Sequence, residues 1–432
     1  MITAKLSSFA AATRAADVPP ETLHMLRLSM LDWAACGIAG RAEPVARITR
    51  DMVVAEAGTP EARVFGGSAA LPARAAALVN GATSHALDYD DTHFDHIGHP
   101  SVAVLPAVLA VAEMTEADGP ALQLAALLGI EASIRVGVWL GRGHYQTGFH
   151  QTATAGAFGA AVAAARLLGF DAAQTEAALG LVATRASGLK SQFGTMGKPY
   201  NAGLAAANGV EAALLVQRGF APDVRGLEGP QGFGATHAGA ADAGALEGLS
   251  AHWRFDRISH KFHACCHGLH ATLEALSHLD RPGVDEIAGL GIETHPRWMS
   301  VCNQSAPTTG LGAKFSYRTV AAMALLGHST AALESYSDAL CADPAIIALR
   351  DRVSVVATET LSETQARVTL TLSDGTRRSA RHDLEAPIPL AERTAKIHAK
   401  SAALIGAARS ARLWDALEAA APAAALAGLL FA

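Results

Sequence analysis

The sequence predicts a mainly α protein with an α+β second domain. The expected plan is a large all-α helical domain, a smaller inserted α+β lid domain, and C-terminal helices that return to the first domain. Three observations predict it. The chain has 432 residues, more than one small core can use. Half of them are hydrophobic, 17% are charged and only 5% are aromatic, so small side chains must build an interior of closely approaching helices. The periodicity also changes along the chain. Helical spacing dominates over 1–255, β-branched alternation enters within 256–390, and alanine-rich helix resumes over 391–432.

Pro19-Pro20 followed by Leu23, Leu26, Met30, Trp33 and Ala34 predicts a helix that Gly37 ends. Residues 102–115 and 120–140 are apolar almost all round, which predicts buried helices. The alanine-rich stretches 152–168 and 203–218 read the same way. Gly-, His- and Lys-bearing segments, 81–100, 141–151 and 188–203, separate them. Past residue 255, strands are expected at 286–294, 352–358 and 366–373. Asp374-Gly375 marks a tight hairpin turn into 376–381, and helices are expected at 264–279 and 314–326. The apolar end, 419–432, reads as a packed helix.

Composition excludes several function classes. With 34 basic and 40 acidic residues the net charge is −6, which gives no field to hold a phosphate backbone, so no nucleic acid is expected as partner. Cys36, Cys265, Cys266, Cys302 and Cys341 are too few and too scattered for a secreted disulfide scaffold. Met1-Ile-Thr-Ala-Lys5 leads into no signal-like apolar stretch. The longer apolar runs are broken by Glu131, Arg135 and Arg166, so no membrane span and a cytoplasmic location are expected.

The chemistry concentrates in five segments. Residues 88–100 hold Asp88, Asp90, Asp91 and Asp95 with His93, His96 and His99, costly to desolvate unless they pair or act, and suited to acid–base work. Solvation of single members such as Asp95 is the plain alternative. Residues 143–152 hold His144 and His150 before a helix start that Thr152 could cap, a place where free N–H groups bind anions. Residues 193–203 hold Lys198 in a glycine-rich loop that lacks the order of a phosphate-binding loop. Residues 260–270 hold Lys261, His263, Cys265, Cys266, His267 and His270, and residues 314–318 hold Lys314, Tyr317 and Arg318. Two histidine sets, His93/His96/His99 and His263/His267/His270, have spacings that could hold a metal. Neither is a His-Glu-x-x-His motif, and no metal is expected.

These segments, in this order, resemble the MmgE/PrpD family, which includes 2-methylcitrate dehydratase, cis-aconitate decarboxylase and iminodisuccinate epimerase. The most specific mark is His85-Ala-Leu-Asp88-Tyr-Asp90-Asp91-Thr92…His99-Pro100-Ser101, supported by Lys198-Pro199…Ala202-Gly203 and the Lys261 segment. The resemblance implies a metal-free, cofactor-free homodimer with its active site between a helical domain and an α+β lid. It implies Asp88, His99, His150, Lys198 and Lys261 as catalytic residues, and Thr92, Cys266, His270 and Tyr317 as substrate-binding ones. The chain departs from many members at Asn201, where they carry His, at Ala264, where they carry Pro, and in the loop 94–98. The 143–150 segment is nearer in wording to the epimerase than to 2-methylcitrate dehydratase.

The reactions of such a family share the creation or quenching of a carbanion beside a carboxylate, which clustered cations and donors must stabilise. The expected activity is therefore a metal-free lyase, of hydro-lyase type, on a small di- or tricarboxylic acid. Epimerisation or decarboxylation of a similar acid is the first alternative. A metal-dependent hydrolase built on His93/His96/His99 and a non-catalytic carboxylate binder are the others.

Overall fold

In the computed structural model, which describes residues 1–431, the chain divides into two compact units. One comprises Met1–His260 with Ile397–Ala432, the other Lys261–Lys396. The first unit is helical and the second carries the sheet, as the fold class requires. Ile258 is buried and Ser259 pairs with Thr92, which ties the chain to the first unit up to His260.

In the helical unit, four buried helices carry most of the core: Ala73–Ser84, Pro100–Met114, Gln151–Leu167 and Gly197–Gln217. A fifth, Gly119–Thr147, packs on Gln151–Leu167. Their many alanines and glycines let backbones nearly touch. A Cβ on Gly203 would lie 2.3 Å from the Leu78 carbonyl oxygen, and one on Gly159 2.4 Å from that of Gly129. Such seams bury surface without long side chains, which is why so few aromatics suffice.

Three expectations change. Gly37 does not end its helix, which runs Pro20–Gly40. A Cβ there would sit 2.3 Å from the Phe65 ring, so this glycine makes room for Phe65. The segment 141–151 is not a plain separator. Helix resumes after a break at Gly141, whose φ of 75° a side chain would strain. The helix expected over 264–279 is confined to His270–Ser277, preceded by one 3-10 turn.

Gly119–Thr147 is also long and apolar enough to cross a bilayer, contrary to the reading that charges interrupt every such run. Its apolar window is 89% buried within the protein. Its Glu131 and Arg135 form a fully buried pair at 2.6 Å. Arg135 donates to the carbonyls of Ala245, Glu247 and His252, and Glu131 accepts from the backbone of Arg254 and Phe255. Every charge is answered, and the two residues bind the segment 245–255 to the helix.

The second unit is built on a four-stranded sheet of order β2-β1-β3-β4, with β1 Ile287–Thr294, β2 Val353–Ala357, β3 Gln365–Leu372 and β4 Arg377–Asp383. β1 pairs parallel with β2 and antiparallel with β3. The hairpin β3–β4 turns at Asp374-Gly375, where Gly375 takes φ 86° and Asp374 accepts from the Thr376 N–H. Ala366, Val368, Leu370 and Leu372 point to the core face on which helices His270–Ser277 and Tyr317–Leu326 lie.

Candidate active site

His99 and His150 are the N-cap residues of helices Pro100–Met114 and Gln151–Leu167, and Lys198 lies in the first turn of Gly197–Gln217. Neither histidine spends its side chain on capping. Thr152 does not cap its own helix either. Its hydroxyl accepts from the His99 N–H at 3.0 Å and so ties two helix starts together. Three helix N-termini thus meet where these side chains meet, and their partial positive charge favours an anion there.

The carboxylates arrive on the turn after helix Ala73–Ser84. Lys198 Nζ is 2.7 Å from Asp88 Oδ1, and the same oxygen is 3.3 Å from His99 Nε2. Asp90 Oδ2 is 3.0 Å from His99 Nδ1, while its Oδ1 bonds His85 Nδ1 at 2.8 Å. His99 therefore has a carboxylate oxygen at each ring nitrogen, and donating to both requires the imidazolium form. Burial by itself would raise the Asp90 carboxyl. The charges and hydrogen bonds of His85 and His99 outweigh it and hold Asp90 well below the usual range. Its neighbour Asp91 goes the other way. Burial raises its carboxyl well above the usual range despite a bond from the Ser101 hydroxyl.

His150 behaves differently from His99. Burial first, then the charges of Lys198, His85 and His99, push its imidazole well below the usual range, so it is neutral at pH 7. Asn201 Nδ2 lies 3.3 Å from His150 Nδ1 and 3.3 Å from the Leu189 carbonyl. An amide donating to Nδ1 places the ring proton on Nε2, a neutral donor. Phe193 packs edge-on against this ring, 4.8 Å between centroids, and Lys198 Nζ lies 5.2 Å from the Phe193 centroid.

Asp88, His99, His150 and Lys198 are thus brought together. Thr92 lies on the same segment as Asp88 and His99 and is tied to Ser259. It pairs through its backbone with Ser259, and its hydroxyl reaches the Ser259 carbonyl at 3.3 Å. Lys261, Cys266, His270 and Tyr317 lie in the second unit. Lys261 is buried, and its charge, with His267 and His263, adds to burial in holding the His270 imidazole well below the usual range. Tyr317 is fully buried, its hydroxyl donating to the Gly268 carbonyl at 2.8 Å and meeting Thr294 Oγ1 at 2.9 Å. Burial raises its phenol, so it keeps its proton. Cys265 is raised to about 12, chiefly by burial.

Four histidines of the two sets weighed as metal ligands have protein partners. His93 Nε2 faces the Arg254 carbonyl, His96 Nε2 the Ser133 hydroxyl, and His99 the two aspartates. His263 uses its ring nitrogens on Thr330 and Glu274. His144 bonds the His237 carbonyl and Thr154, a structural role. Among the described residues, His85, Asp88, Asp90 and His99 bring ligand atoms within 4.8 Å of one another. These atoms already contact one another, and Lys198 stands on Asp88, so a dication there would face an ammonium group at once. The donor set suits a proton better than a metal.

His85 and Asp90 were not singled out as catalytic or binding residues from sequence. The signal that could have found them is their spacing, an imidazole and a carboxylate five residues apart across one tight turn.

Residues 4–245 match the MmgE/PrpD N-terminal domain and residues 263–416 the MmgE/PrpD C-terminal domain. The chain belongs to the MmgE/PrpD family. Among the relatives of this MmgE/PrpD chain, the cis-aconitate decarboxylase of Aspergillus terreus (strain NIH 2624 / FGSC A1156) is 30% identical over 295 residues, 65% of this chain and 60% of that protein. A cis-aconitate decarboxylase-like protein of Aspergillus oryzae is 28% identical over 305 residues, 66% of this chain and 63% of its own. The human cis-aconitate decarboxylase is 35% identical over 173 residues, 39% of this chain and 36% of its own. The match spans 60–63% of the length of the two fungal relatives.

Proposed function

We propose that this chain is a metal-free lyase that acts on a small di- or tricarboxylate by transferring a proton at a carbon beside a carboxylate. The observation that carries the reading is His99, a buried imidazole with one carboxylate oxygen at each nitrogen, set among three helix starts and Lys198. Lys198, the helix starts and the His150 Nε2 proton attract and orient the substrate's carboxylates. The resemblance assigns Lys261, Cys266, His270 and Tyr317 a part in binding or catalysis, and homodimerisation belongs to the same proposal.

Within this class we favour decarboxylation, for which the relatives named cis-aconitate decarboxylase speak. A carbon–carbon bond breaks, carbon dioxide leaves, and the electron pair stays on the substrate, spread toward a neighbouring carboxylate. The His99 imidazolium then gives its proton to that carbon and is recharged from solvent, while Asp90 keeps the ring oriented. Dehydration is the second reading. Asp88, whose side chain is 41% exposed, is the one carboxylate of the group open enough to take a proton from the substrate carbon. The His150 Nε2–H gives a proton to the hydroxyl on the adjacent carbon, which leaves as water as the double bond forms.

The test is proton NMR in deuterated water with cis-aconitate and a panel of related polycarboxylates. Loss of carbon dioxide with one deuterium placed on the product carbon supports decarboxylation. New vinyl signals with loss of water support dehydration, and exchange with inversion supports an epimerase. Saturable binding without turnover of any acid in the panel would refute the enzymatic reading.

A further inference from the structure

We infer that Lys400 and Asp32 are a positioning pair for this site, holding the turn that carries Asp88 and Asp90 from behind. The inference rests on the reading of Asp88, Asp90 and His99 as the proton-handling group. Asp88 and Asp90 approach the same imidazole from two sides, and only Tyr89 lies between them in the chain. The orientation of the Tyr89 peptide therefore sets the angle at which both carboxylates meet His99. Asp88 itself takes φ 51°, a left-handed conformation that a residue with a Cβ adopts at a cost and that its surroundings must enforce.

Part of that enforcement comes from 311 residues away in sequence. Lys400, on helix Leu390–Ile405, donates from Nζ to the Tyr89 carbonyl at 2.6 Å and stands 3.9 Å from the centroid of the Tyr89 ring. Asp32, on helix Pro20–Gly40, balances its charge with Oδ1 at 2.5 Å. All three residues are buried. An ion pair at this depth is a weak stabiliser, because the water both charges give up offsets their attraction. Its effect here is directional. One ammonium group fixes a carbonyl and a ring of the residue between two working carboxylates. Lys400 thus acts through Tyr89 and not on substrate.

The test removes both charges together, so that neither is left buried alone. In an Asp32→Leu/Lys400→Met protein, histidine-selective nitrogen-15 NMR follows the His99 and His85 imidazoles. The groups that face His99 and enter its titration are Asp88, Asp90, His85, His96, His150 and Lys198. The expected result is a cooperatively melting helical protein whose His99 signal and titration midpoint are displaced. On an acid that the wild type turns over, kcat falls by about 10- to 100-fold while KM changes less than about threefold. A folded double variant with the wild-type His99 titration and kcat overturns the inference. If the double variant does not fold, Lys400→Arg keeps the charge and changes its reach. A displaced His99 titration in that protein then supports the pair's role, and an unchanged one overturns it. If the wild type turns over none of the acids but His99 still shifts in the variant, the positioning role stands and the lyase reading fails.

Discussion

Asp90 and Asp91 are adjacent in sequence and opposite in state. Both are buried, yet Asp90 is held ionised by two imidazoles, whereas Asp91 has a hydroxyl for a partner and is pushed toward its neutral form. The difference argues that Asp90 orients and charges His99. Asp90→Asn, nearly isosteric, should lower kcat by about 10²- to 10⁴-fold, the usual share of a positioned acid–base group. Asp95→Asn, which breaks only the pairs with Arg257 and Arg254, should leave turnover within about threefold. Steady-state rates of the two purified variants decide this. At His150, removing the amide by Asn201→Ala should let the ring proton redistribute between its nitrogens. The His150 nitrogen-15 spectrum reports that change directly, and a kcat loss of about tenfold should accompany it.

Helix starts and the loops between them form the next scale. The loop 93–98 carries two buried histidines, and burial is the largest cause in both. It lowers His93 to about 4 and His96 to about 3. Protonation of either ring favours the unfolded chain. The stability they contribute is full above the unfolded value near 6.5. It is lost progressively as pH falls from 6.5 to about 4 for His93 and to about 3 for His96, at about 1.4 kcal/mol per pH unit for each ring. The melting temperature of the wild type should therefore fall steeply between pH 6.5 and 4, and His96→Gln should flatten that slope; equal slopes would contradict the assignment. A different element effect is expected where helices Ala73–Ser84 and Gly197–Gln217 cross. Gly203→Ala puts a methyl against the Leu78 carbonyl and should destabilise by about 1–3 kcal/mol. Because Lys198 and Asn201 ride on the same helix, turnover should fall beyond what the loss of folded protein explains.

For the whole molecule, proton chemistry without a dication predicts that exhaustive chelation leaves turnover unchanged and that elemental analysis finds no stoichiometric metal. A rate restored only by added metal would favour the His85/Asp88/Asp90/His99 group as a ligand set instead. The return of 397–432 to the helical unit also gains a purpose beyond closing a core. It brings Lys400 to Tyr89, and helix Ala407–Glu418 places the Leu417 carbonyl where the buried Gln123 side chain donates to it.

The amino-acid sequence alone determined the class of the fold, the β3–β4 hairpin, the buried alanine-rich helices and the segments in which chemistry would gather. Each of these follows from residues a few positions apart, where periodicity, turn residues and helix termini act locally. Through its resemblance to a known family it also pointed to Asp88, His99, His150, Lys198 and Lys261, of which the first four stand at helix starts or on the turn before one. Only the tertiary structure decided that Asp90 with His85 backs His99, that Asn201 sets the His150 proton, that Gly37 yields to Phe65 instead of ending a helix, and that Tyr317 is buried against Gly268 and Thr294. Those facts depend on which distant side chains share a few ångströms of low-dielectric interior, and neither spacing nor composition encodes such a distance.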